Sequence, residues 1–246
     1  MTTKGQDAAN DVAALLRARN PLLWIVTREE ARVEALLFEA AAAAGYMTHT
    51  WDVATGPTEV GGAPVQGMGP EQRDPGAMME AIRTRSGQGQ SRDLWVMRDL
   101  PVWLSGPSGA TTLRQLRNLA RSLPTAPRER AQALVVLTTT ATLPDELSGH
   151  ATVLEWPLPD KAEIASILDA AIESLPDKYK AEAAPNGVRD AAIDAAVGLT
   201  GEEAQSCYAR SLVQHRKIDP AVVAREKRRS ITRERVLEWY DPIPGG

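Results

Sequence analysis

Short apolar runs alternate with amphipathic stretches over the first 158 residues, and after Pro159 only helical periodicity remains. The first run, Pro21-Leu22-Leu23-Trp24-Ile25-Val26, is bounded by a proline and followed directly by Thr27, the pattern of a buried strand leading into a helix. Thr27 and Glu30 form a T-x-x-E capping box, after which Val33, Leu36, Leu37, Ala40, Ala41 and Ala44 recur at helical spacing and Gly45 supplies the stop. A second strand is expected over 46–53. Thr55 to Gly76 then packs ten Gly or Pro into 22 residues, which predicts a long loop.

Asp74-Pro75 opens a helix carrying Met78, Met79 and Ile82. Leu94-Trp95-Val96-Met97 is the next buried strand and ends in Arg98-Asp99-Leu100. Leu113, Leu116, Ala120 and Leu123 mark a further helix, Ala133 to Leu137 a strand ending in Thr138-Thr139-Thr140, and Ala151 to Trp156 a last strand. Four or five strands with intervening helices imply an α/β fold with a parallel, doubly wound sheet. Beyond Pro159, Asp160 with Glu163 starts a helix carrying Ile164, Ile167, Leu168, Ala171 and Ile172. Another helix runs near 188–197, Thr200 with Glu203 caps a third, and Asp219-Pro220 opens a basic one. The expected organisation is an α/β domain over 1–158, a helical subdomain over 159–237 and a linker over 238–246.

Composition narrows the function classes. With 246 residues, 43% hydrophobic and 24% charged, the chain can bury a sizeable core. Its one cysteine, Cys207, excludes an internal disulfide and reads as a small core residue. No leader and no membrane-length apolar run is visible, which points to a cytoplasmic protein without membrane contact. The net charge is -4, yet Cys207 to Tyr240 holds nine Lys/Arg against four Asp/Glu. Arg225, Lys227, Arg228, Arg229, Arg233 and Arg235 are therefore candidates for binding a partner. Glu226 and Glu234 interrupt them, so a protein partner ranks above nucleic acid.

Motifs for chemistry fail one by one. None of the six lysines precedes Ser or Thr, so G-x-x-x-x-G-K-[ST] occurs nowhere, and Thr27-Arg28-Glu29 puts a carboxylate where a phosphate would sit. Gly67-x-Gly69 and Gly87-x-Gly89 break before a third glycine, and Gly106-Pro107-Ser108-Gly109 is not a nucleophile elbow. His49, His150 and His215 are scattered without metal-ligand spacing. Asp99 closes a strand where an ATPase would hold a magnesium ligand, but Leu100 follows it instead of a catalytic Glu.

Several segments resemble one family in order along the chain. Residues Leu16 to Arg32 are similar to the "RARxPLIxIVTxEExR" opening of the AAA+ ATPases related to a chloroplast-encoded conserved reading frame, found also in cyanobacteria, other bacteria and phages. The matches continue through Trp51-Asp52-Val53, Val96 to Leu100, Leu143-Pro144, Leu158-Pro159-Asp160, Gly198 to Ala204 and Leu237-Glu238-Trp239-Tyr240. The resemblance implies a region preceding a phosphate-loop ATPase module, which in the family begins shortly after a "GG" like Gly245-Gly246. Separately, the order of strand, helix, carboxylate-ended strand, Thr-ended strand, Leu-Pro-Asp helix start and Gly-Leu-Thr helical lid is that of an AAA+ module. This region is therefore itself expected to be a degenerate AAA+-like domain, with Asp99 at the Walker B position and Thr138 to Thr140 near sensor 1. No cofactor is then expected in this chain, and ATP and Mg2+ belong to the downstream module. The expected role is a non-catalytic regulatory or partner-binding domain, contacting that module, a ring partner or copies of itself. The alternatives are a free-standing adaptor and a nucleotide-binding or enzymatic domain with an unrecognised site.

Overall fold

A computed structural model describes residues 2–185 and 187–238 of the chain. The side chains of Ser108, Ser230, Ile231 and residues 233–238 lie outside that description, as does the linker expected beyond Glu238. In order, the elements are α1 (Lys4–Arg17), β1 (Leu22–Val26), α2 (Glu30–Ala44), β2 (Met47–Asp52), β3 (Gly56–Glu59), α3 (Pro75–Gln88), β4 (Asp93–Arg98), α4 (Gly106–Ser122), β5 (Gln132–Thr138) and β6 (Thr152–Glu155). Five further helices follow: α5 (Lys161–Glu173), α6 (Asp177–Ala183), α7 (Val188–Ala196), α8 (Gly201–His215) and α9 (Pro220–Glu238). The chain divides into two units, Gly5–Pro157 and Leu158 onward together with Met1–Lys4.

In the first unit the strands form one sheet in the order β3-β2-β4-β5-β1-β6, parallel throughout except for the β2–β3 hairpin. Strand residues alternate between two apolar layers. Leu23, Ile25, Leu94, Val96 and Val135 pack with α1 and α2, whereas Trp24, Trp95, Met97, Leu134 and Val136 pack with α3 and α4. Burial on both faces explains why the central strands read as continuous apolar runs. The second unit is helical, built around Ile164, Leu168, Ile193, Tyr208, Leu212 and Val223. Both capping boxes expected there are present: Asp160 Oδ1 accepts from the amide of Glu163, and Thr200 Oγ1 from that of Glu203. Each such cap contributes about 1 kcal/mol. No helix among the described residues is long and apolar enough to cross a membrane.

Two local expectations are corrected. Thr27 and Glu30 form no capping box, because α2 starts later, with Glu29 at the N-cap and no side-chain cap. The Thr27 hydroxyl accepts from the Glu29 amide, and the Glu30 carboxylate turns instead to Arg98, 3.2 Å away. A tertiary ion pair thus displaces a local cap. The stretch from Thr55 to Gly76 is not a plain loop either, since it holds β3 and a 3-10 turn, Pro70–Arg73. Gly56 at φ 80 makes the hairpin turn, and Pro57 is tolerated because β3 is an edge strand.

Near the start of β4 the sheet contains charge. His49, 1% exposed, lies with Nδ1 3.0 Å from Glu59 Oε2 and Nε2 3.4 Å from Asp93 Oδ1, and its ring stacks on Trp95 at 4.4 Å. Arg85 Nε donates to the other Asp93 oxygen at 3.2 Å, and Trp95 Nε1 donates to Gln132 Oε1 at 2.8 Å. Burial alone would push the Asp93 carboxyl up. His49, Ser91 and Arg85 outweigh it and hold the group below its ordinary 3.8. A depressed carboxyl contributes stability that is present above the unfolded value and is lost as pH falls through the folded one. Urea midpoints should therefore show Asp93→Asn less stable than the parent at pH 5, with the gap narrowing as pH falls below the ordinary 3.8. A gap that persists unchanged into acid would rule out an electrostatic role for Asp93.

Candidate functional site

In an open parallel sheet the ligand crevice lies outside the carboxyl ends of the strands, where neighbouring strands connect in opposite directions. Here that place is the end of β1, flanked by β5 and β6. The Thr27 amide donates to Thr138 O at 2.8 Å and the Asp99 amide to Leu137 O at 3.1 Å, so the ends of β1, β4 and β5 are laced together. Trp24 Nε1 donates to Thr140 O at 3.1 Å, while the Thr138 and Thr140 hydroxyls accept from amides two residues on. These threonine hydroxyls are thus engaged in local turns.

Only Thr27, Arg28 and Glu29 separate β1 from α2. The phosphate-loop motif spans about eight positions, so three residues are too few to wrap a polyphosphate. At the helix start, where amides and macrodipole favour an anion, stands the Glu29 carboxylate, only 3% exposed. Arg32 holds it with two hydrogen bonds, Nε to Oε1 at 3.1 Å and Nη2 to Oε2 at 2.7 Å, and also donates to Pro157 O at 2.6 Å. A triphosphate brought to this helix end would meet a buried negative charge already paired with the nearby cation.

The end of β4 carries a second charge cluster. Arg98 makes a fork onto Glu34, with Nε–Oε1 at 2.6 Å and Nη2–Oε2 at 2.8 Å, and also approaches Glu30 at 3.2 Å and Asp52 at 3.4 Å. The Glu34 bond raises the Arg98 pKa further. Burial pushes the Glu30 carboxyl up; Arg98 opposes this, and Glu34, Asp99 and Asp52 add to it. Asp52 would also be pushed up by burial, yet bonds from Thr55 and Ala54 together with Arg98 bring it below its usual value. The carboxylates of α2 and β2 thus surround a guanidinium.

Asp99 stands apart from this clamp. It is exposed, adopts φ 52, and opens the 3-10 turn Leu100–Trp103 without a side-chain cap bond. Cys207 is buried, and burial, followed by the charges of Glu226 and Glu203, pushes its thiol up to about 11, as suits a core residue rather than a nucleophile. On α9, Arg225, Arg228 and Arg229 are exposed, whereas Lys227 is half-buried and donates to Val197 O; the side chains of Arg233 and Arg235 lie outside the described residues. Sequence reasoning missed the Arg98 clamp. Its members lie 64 and 46 positions apart, and no local pattern announces them.

Sheet order, two-sided helical cover and the helical second unit define the class as an α/β sheet domain followed by a helical unit. The chain belongs to the SpoVK-like AAA ATPase family: residues 8–156 match the family's N-terminal domain and residues 162–234 its second domain. It is 29% identical over 241 residues, 95% of its length, to the uncharacterized AAA domain-containing protein ycf46 of Guillardia theta. The identity to the protein of that name from Pyropia yezoensis is 24% over 238 residues, 94% of the chain. The chain spans 43% and 44% of the lengths of these two relatives. Among solved structures, the FIGL-1 AAA domain matches 92% of this chain and 79% of its own at a TM-score of 0.60 and 10% identity. A chain of the E. coli MS115-1 HORMA:CdnC:Trip13 complex matches 90% of this one and 85% of its own at 0.56 and 9% identity. At such identities the structural matches speak for the fold alone.

Proposed function

We propose that this chain is the non-catalytic, regulatory or partner-binding part of an AAA ATPase whose nucleotide site lies in another segment of a longer protein. The observation that carries the reading is the three-residue β1–α2 connection ending in the buried Glu29–Arg32 pair. The Arg98 clamp supports it, because three carboxylates around the end of β4 are already drawn onto one guanidinium. Function resides in a site and not in a scaffold, so an AAA fold can persist as a binding platform. ATP and Mg2+ are then held by the separate module, along with any ring assembly that it drives.

Calorimetric titration of the chain with ATP and Mg2+ tests this. No saturable heat is expected up to about 1 mM nucleotide, the concentration at which a binding free energy of about -4 kcal/mol becomes visible. Saturable binding that Glu29→Ala strengthens and Arg32→Ala abolishes would favour a nucleotide-binding domain instead.

A further inference from the structure

The exposed face of α8 and α9 has a composition that the nucleotide argument leaves unused. Val222 and Val223 are 2% and 0% exposed and seat the start of α9 on the second unit's core, and Lys227 is taken up by Val197 O. This leaves Arg225, Arg228 and Arg229 on the outer side, one helical turn apart, or about 6 Å. On α8, Arg210 reaches across to Glu226 at 3.0 Å, and Arg229 takes the other oxygen of the same carboxylate at 2.9 Å. Two guanidiniums therefore share the Glu226 carboxylate, and with Arg225 and Arg228 these five side chains sum to +3 on a chain whose net charge is -4. Among the described residues no carboxylate pairs with Arg225 or Arg228. One turn along α8 from Arg210, Val213 is 84% exposed.

We infer that this face docks an acidic segment of a partner protein, with carboxylates at helical spacing on the arginines and an apolar side chain against Val213. The inference rests on the partner-binding role proposed above and gives that partner a chemistry. Arginine forks suit carboxylates held in register, and a desolvated apolar contact beside them supplies the specificity that charge alone lacks. A polynucleotide fits less well. Glu226 sits within the stripe, and among the described residues of the unit Tyr208 is buried and Tyr179 lies beneath Lys178, so these offer the charge no stacking platform.

The test is selection of randomised peptides displayed on phage against the full chain, followed by anisotropy titration of the enriched sequences. Peptides with Asp or Glu three or four positions apart around Leu, Ile or Phe are expected. The double variant Arg225→Glu, Arg228→Glu should weaken them at least about tenfold and Val213→Ser several-fold, with the variants' melting unchanged. Enriched peptides without acidic residues, or indifference to both variants, would overturn the inference. So would a single-stranded oligonucleotide that competes for the face regardless of Val213. ATP binding by the chain would overturn the non-catalytic reading while leaving this surface standing, so the two failures are distinguishable.

Discussion

Trp95→Ala is expected to lower the stability of the sheet-bearing unit by about 4 kcal/mol, the range for removing a buried indole from a core. Trp95 is fully buried between β2 and β5, carries the His49 ring on one face, and donates to Gln132, which is itself only 3% exposed. Alanine would leave a cavity and also an amide oxygen without its donor, adding about 1 kcal/mol or more. For a domain of this size each kcal/mol moves the melting point by about 2–4 °C, so a drop of about 10–15 °C should appear in near-ultraviolet dichroism. Trp95→Phe should cost less, since it keeps an aromatic ring at the stack while losing the N–H and part of the indole volume. If the alanine variant fell by less than about 1.5 kcal/mol, the core would be repacking, and the His49–Trp95–Gln132 network would carry little weight.

The second large effect concerns the guanidinium at the end of β4. Arg98→Met should cost about 2–3 kcal/mol at neutral pH, somewhat below the usual cost of breaking a buried ion pair because Arg98 is 25% exposed. The cost arises mainly from what remains: Glu34, 7% exposed, and its neighbours Glu30 and Asp52 would repel one another without their shared counter-charge. Two features distinguish this from lost packing. Adding Glu34→Gln should recover part of the loss, and the deficit should shrink in mild acid as Glu30, whose carboxyl is already held above its ordinary value, takes up a proton. Denaturation of the single and double variants at pH 7 and pH 4.5 measures both, and a deficit independent of pH and of Glu34 would assign Arg98 a packing role alone.

How far the fold could be read from the chain depended on whether the signal was local. The strand at Leu22–Val26, the Gly45 stop and the Asp74, Asp160 and Thr200 caps are each written within a few residues, and each is present in the structure. The N-terminal helix is legible too, since Ala9, Val12, Ala13 and Leu16 are spaced as a buried stripe. By contrast β3 is a four-residue edge strand of Gly, Pro, Thr and Glu, with nothing apolar to mark it. The site divides in the same way. A carboxylate at the head of α2 was visible in Thr27-Arg28-Glu29, whereas its pairing with Arg32 and the convergence on Arg98 arise only from the folded arrangement.

The position of β1 in the sheet has a consequence for the order in which the chain can acquire its structure. β1 is made before both strands that flank it, since β5 and β6 lie more than a hundred residues downstream. At ribosomal rates of about 5–20 residues per second, Leu22 to Val26 wait several seconds or longer for a partner. During that interval a run of five apolar residues has no sheet to join. Contacts so distant in sequence also slow the search once the chain is complete. The same centrality that buries β1 in the finished sheet makes it the segment most in need of protection while the protein is being made.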